Sequence, residues 1–158
     1  MASEFLYWDE LLGRPVKVAR EGREAGQIED FYYDPATQSI YALRVKTRLN
    51  GPHILLASAI AAIDSNGVTI ANENMLIDET NAGHIYSLPL GQQFIGSRVI
   101  SEQGRELGAV SNLLLGVYPP IALRISAFEL GRQRGRRISA HAIISIDRGV
   151  LTVMESEA

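Results

Sequence analysis

The chain contains no cysteine. Disulfides, zinc–thiolate sites and cysteine catalysis are excluded together, and the composition fits a reducing, cytoplasmic compartment. No apolar run approaches the roughly 18 residues that a membrane-spanning helix needs. The opening stretch, MASEFLYWDE, has no basic region followed by an apolar one, so a secretory signal is not expected. Only three histidines occur, His53, His84 and His141. His53 sits beside Asn50-Gly51-Pro52, which reads as a loop. No two share a metal-ligand spacing. There is no Gly-x-Ser-x-Gly elbow. The pairs Gly22/Gly26 and Gly104/Gly108 lack the helix and lysine that a phosphate cradle requires. No catalytic residue, metal site or cofactor is expected, and the chain reads as non-enzymatic.

What is present is ordinary for a folded domain: 158 residues, 46% apolar, 21% charged and a formal charge of −3. Fourteen glycines point away from long helices and toward short strands and turns. Those glycines repeat. Gly13, Val16, Gly22, Arg23, Glu24 and Gly26 return as Gly96, Val99, Gly104, Arg105, Glu106 and Gly108. Ala42-Leu43-Arg44 returns as Ala122-Leu123-Arg124. Ala57, Ala59, Ile60, Ile63, Asp64 and Thr69 return as Ala140, Ala142, Ile143, Ile146, Asp147 and Thr152. The offset drifts between 80 and 83. The chain is thus two copies of one unit, over 5–70 and 88–155, joined by a connector at 71–87.

Each unit reads as all-β. Turn signals stand at Glu21–Glu24, Asp34–Thr37 and Asn66-Gly67, with Gly149 as the late counterpart. Alternation places Tyr41, Leu43 and Val45 on one face, with Ile121, Leu123 and Ile125 as counterparts, while Arg44 and Arg124 point outward. Ile28, Phe31 and Tyr33 form one apolar set, as do Val110, Leu113 and Leu115, although strict alternation would split each set. A bulge near Asp30 and Asn112 resolves the conflict, the kind of bend that curls a small sheet into a barrel. Asp30 and Asp34, within the carboxylate group Glu21, Glu24, Glu29, Asp30 and Asp34, are expected to cap backbone N–H groups freed by bends. Phe5-Leu6-Tyr7-Trp8 and its counterpart Leu88-Pro89-Leu90-Gly91 are expected to plug an open end of a barrel, the alternative being an aromatic patch that a partner covers.

The run Leu12-Gly13-x-x-Val16, Gly22-x-x-x-Gly26-x-Ile28-x-Asp30, Asp34-Pro35-x-Thr37 and Ala42-Leu43 resembles the PRC-barrel domain family. The resemblance covers nearly the whole chain twice, although copy two replaces the aspartate with Asn112 and the Asp-Pro-x-Thr turn with Gly116–Pro120. It implies two tandem small β-barrels packed with pseudo-two-fold symmetry. The family includes the cytoplasmic part of the photosynthetic reaction centre H subunit and the C-terminal domain of a ribosome maturation factor. It therefore implies an adaptor or assembly factor binding a larger protein complex, peripheral to a membrane complex or active in ribosome maturation. The motif residues specify fold and carry no chemistry.

Charge supplies the candidate contacts. Residues 1–83 hold seven basic and twelve acidic groups, residues 84–158 eight basic and six acidic. Arg132, Arg134, Arg136 and Arg137 crowd into one glycine-flanked loop. They are candidates for binding a protein partner, RNA or an acidic lipid surface. The plainer alternative is a solvated loop that keeps an edge soluble. Tyr118, before Pro119-Pro120, is a candidate docking tip found only in copy two. Self-association of acidic first copy with basic second copy is an alternative. So is a small-molecule site between the barrels, involving His141 or the Asp30 region.

Overall fold

The computed structural model describes residues 4–48, 51–131, 136–147 and 149–154. Two seven-stranded sheets dominate it, and neither closes. The first orders its strands as β6 (Ile60–Asp64), β7 (Gly67–Ile70), β2 (Pro15–Val18), β3 (Glu24–Asp34), β4 (Ser39–Lys46), β5 (Pro52–Leu56) and β8 (Leu76–Asp78). The second runs β12 (Arg137–Ser139), β11 (Arg124–Leu130), β10 (Glu106–Gly116), β9 (Arg98–Ser101), β14 (Val150–Val153) and β13 (Ile143–Asp147). Its seventh strand is β1 (Phe5–Tyr7), at the other end of the chain, paired with β10. The one α-helix among the described residues, α1, spans Trp8–Leu11.

Local chemistry accounts for the repeat. Gly13 and Gly96 both sit at positive φ, +83° and +87°, where a side chain would be strained, and each turns the chain into the first strand of its half. The expected bulges are present: the register breaks between Ile28 and Asp30 and between Val110 and Asn112. Ile28, Phe31 and Tyr33 consequently enter the core together, as do Val110, Leu113 and Leu115. The Asn66 and Gly149 turns close the β6–β7 and β13–β14 hairpins.

Register corrects part of the sequence alignment. Arg44 lies opposite Asp30, but the residue opposite Asn112 is Glu129. Ala42, Leu43 and Arg44 therefore correspond in space to Ala127, Phe128 and Glu129, an offset of 85. The Ala122-Leu123-Arg124 match is a coincidence of letters. Copy two carries a longer loop there, holding a 3-10 turn at Pro120–Ala122. Ile121 sits in that turn at 71% exposure, so it is not a core residue. Tyr41 occupies a second irregularity, and Ile40 takes its place beside Leu43 and Val45 in the core. Pro52, read as loop, opens β5, and His53 follows it in the strand.

The segments expected to plug barrel ends cross between halves. Phe5, Leu6 and Tyr7 pair with Gly116, Leu115 and Leu114 of the second half. Reciprocally, Leu90 bridges Tyr32, and the Tyr33 N–H donates to the Pro89 carbonyl at 2.8 Å. The bulge side chains anchor each crossing. Asp30 Oδ1 accepts from the N–H of Phe31 at 2.8 Å and of Gln92 at 3.2 Å. Asn112 Oδ1 accepts from the N–H of Leu113 at 2.9 Å and of Asp9 at 3.4 Å. The capping role expected of Asp30 thus extends across to the other half.

One apolar core runs through both halves. Trp8 stands edge-on to Phe31 at 5.1 Å, Phe31 stacks on Phe94 at 6.5 Å, and Phe94 contacts Phe128 at 5.7 Å. Volume differs across the repeat: Trp8 of the first copy corresponds to Gly91 of the second, and Phe31 to Leu113. A Cβ on Gly91 would strike the Phe31 ring. Gly91→Ala therefore costs about 1–3 kcal/mol. Adding Phe31→Leu, which copies Leu113, recovers part of that loss in a double-mutant cycle read by thermal denaturation.

Candidate functional site

The sequence-selected residues do not converge. Tyr118 is 62% exposed in the β10–β11 loop, beside the Gly116–Arg124 end of that strand pair. Arg137 pairs with Glu129 at the opposite end, and both Arg136 and Arg137 are exposed. Arg132 and Arg134 lie outside the described residues. The histidines are scattered as expected. His53 Nδ1 lies 3.1 Å from the Gly51 carbonyl, His84 stands edge-on to Tyr41 at 5.7 Å, and His141 is exposed. Among the described residues no His, Asp or Glu group is placed to hold a metal.

The informative feature is an asymmetry between the two sheets. Residues opposite one another on paired strands share a face. On the first sheet the outward row is Leu90, Tyr32, Ala42 and Leu56. The connector covers it. Its β8 pairs antiparallel with β5, His53 facing Asp78, Ile54 facing Ile77 and Leu55 facing Leu76. The 3-10 turns that follow lay Ala82 and Ile85 over Tyr32, Ala42 and Ile54, forming a second apolar cluster. Ion pairs fasten this cover: Arg23 to Glu73 at 2.7 Å and Arg44 to Glu79 at 3.6 Å. The exposed Arg23–Glu73 pair holds the Glu73 carboxyl below its ordinary range, through its hydrogen bonds and then its charge. Burial under the cover pushes the Tyr32 phenol up, and its hydroxyl has no hydrogen-bond partner among the described residues.

On the second sheet the corresponding row is Tyr7, Leu114, Ala127 and Ser139. Leu114 is half-buried where its counterpart Tyr32 is buried, Tyr7 and its counterpart Leu90 are both half-buried, and no second apolar cluster forms over Tyr7 and Leu114 among the described residues. The next row holds Phe5, Gly116 and Arg124. The Arg124 guanidinium lies over Gly116, where a Cβ would come within 2.5 Å of its Cζ. Among the described residues the outer edge of β12 carries no partner strand, whereas β5, its counterpart, carries β8. A half-apolar face and an open edge flanked by Arg124, Arg136 and Arg137 are thus side by side. No single motif in the sequence marked this face; only the comparison of covered and uncovered copies does.

Two clefts are lined by described residues. The larger, about 550 Å³, lies at the end of the first sheet and is lined by Arg23, Lys46, Arg48 and His53 with Glu24 and Glu73. Arg23 and Glu73 join Lys46, Arg48 and His53 here although they are distant from them in the chain. The smaller, about 240 Å³, lies between the halves against Tyr33, Pro35, Pro89, Phe94 and Ile146. Neither His141 nor Asp30 lines it. The Asp30 carboxyl is buried on backbone N–H groups, and desolvation pushes its pKa up against the pull of those hydrogen bonds.

No helix among the described residues is long and apolar enough to cross a membrane. No family model matches the chain, and no curated protein matches it.

Proposed function

We propose that the chain is a non-enzymatic protein-binding adaptor or assembly factor built from two tandem PRC-type barrels related by a pseudo-two-fold. The repeated glycines, the reciprocal exchange of lead-in segments and the matched bulges support the architectural reading. The observation that carries the functional reading is the outer face of the second sheet. The same face of the first sheet takes a cover from the chain itself, and the second, with Leu114 half-buried where Tyr32 is buried, takes none from the described residues. The occupant is a protein surface that brings apolar groups for Tyr7 and Leu114 and carboxylates for Arg124, Arg136 and Arg137.

Site-specific photocrosslinking in the native cell tests this. A benzophenone amino acid at position 114 captures one protein complex reproducibly, and the same group at exposed Arg20 does not. Equal and scattered capture from both positions overturns the reading. Capture of RNA from position 114, lost in the Arg136→Ala, Arg137→Ala variant, would favour an anion-binding role instead.

A further inference from the structure

Resting on that adaptor reading, we propose that an acidic segment of the partner protein completes the second sheet, adding as an antiparallel strand to the open edge of β12. The first half already shows the arrangement. Its β5 edge receives β8 from the connector, and the turns after β8 cross over the outer face. Residues 71–87 hold Glu73, Asp78 and Glu79 and no lysine or arginine. An acidic, apolar-bearing strand is therefore the cover this fold takes at that place.

The second half changes the edge in one direction. Pairing of β4 with β5 and of β11 with β12 makes Arg137 the counterpart of Ile54, and Ile138 the counterpart of Leu55. Arg136 then stands where His53 stands. In the first half these positions face Asp78, Ile77 and Leu76. The matching strand for β12 thus has an apolar residue beside Ile138, which is buried at the core margin, and carboxylates opposite Arg137 and Arg136. Backbone hydrogen bonds to an edge give affinity, and alternate side chains give selectivity. The residues after the strand would lie on Tyr7, Leu114 and Ala127 as Ala82 and Ile85 lie on Tyr32 and Ala42.

Charge selects against the simplest rival. Two copies of β12 pairing with each other would bring arginines from both edges together, and opposed like charges weaken strand pairing. A foreign acidic strand meets no such repulsion.

The probe is a synthetic peptide with the sequence of residues 72–88 carrying Ile77→Glu, titrated into the full isotope-labelled chain and followed by NMR. The expected result is a set of shift changes centred on Arg137–Ser139 and Leu114. Arg137→Glu weakens the peptide about tenfold, and a peptide carrying lysine at position 77 restores binding to that variant. Circular dichroism of the variant confirms that it folds. Shifts confined to β5, no shifts, or an affinity indifferent to Arg137→Glu each overturn strand addition. The crosslinking result is independent of this one. A complex captured from position 114 with no peptide response on β12 leaves the adaptor reading standing and removes only the strand.

Discussion

Phe94→Ala is expected to lower the unfolding free energy by about 3–5 kcal/mol. For a chain of this length, that lowers Tm by on the order of 10 °C. Both halves are expected to unfold in one transition. Phe94 is buried, belongs to the second half by sequence, and meets Tyr33 at 5.0 Å, Phe31 at 6.5 Å and Phe128 at 5.7 Å. Removing its ring opens a cavity where the two sheets share a core, and no side chain on either side can fill it without leaving its own contacts. Calorimetry measures the loss, and hydrogen exchange shows whether it is shared. A loss under about 1 kcal/mol, or lowered protection in only one half, would show that the halves are cored separately.

Asp30 gives the second large effect. Asp30→Ala leaves the amides of Phe31 and Gln92 buried without their acceptor and is expected to cost roughly 1–3 kcal/mol. Asp30→Asn keeps an amide oxygen in place, as Asn112 does in the other half, and costs much less. The pH dependence separates charge from hydrogen bonding. Burial raises the folded-state pKa of Asp30 above its ordinary value. The folded chain therefore holds that proton more readily than the unfolded one, so the charged form weighs against folding at neutral pH. The stability of the wild type relative to Asp30→Asn is expected to rise as pH falls through the raised pKa, levelling off below the ordinary carboxylate value. Taking the difference removes the opposite trend from groups such as Glu73 and Asp78, whose carboxyls are held low. Denaturant titrations of both proteins across the acid range check it. A difference that stays flat, or falls with falling pH, would show that Asp30 is not desolvated as the fold implies.

Much of the fold was legible because its signals are local. The bulges at Asp30 and Asn112 could be read from apolar residues that break alternation, since a one-residue slip in a strand moves a side chain to the other face. The glycine pairs marked turns because few other residues take positive φ without strain. The site was less legible. Arg136 and Arg137 were visible as a charge cluster, but Tyr7 and Leu114 are more than a hundred residues apart and meet only because β1 crosses to β10. In the larger cleft, Arg23 and Glu73 are fifty residues apart and join Lys46, Arg48 and His53 only through tertiary pairing. The Ala42-Leu43-Arg44 repeat misled for a related reason: identical tripeptides carry no register, and a longer loop before β11 moved the second one out of place.

The sequence by itself determined that this is a duplicated, turn-rich β chain without thiol chemistry, because composition, glycine spacing and period-2 patterning are set residue by residue. Tertiary structure alone decided which lead-in segment serves which half, that both halves share one core, and that the connector covers the outer face of the first sheet. Those outcomes depend on contacts between residues distant in the chain. Their energies come from apolar area removed from water and from backbone groups paired across the halves, and neither is written in any single stretch of residues.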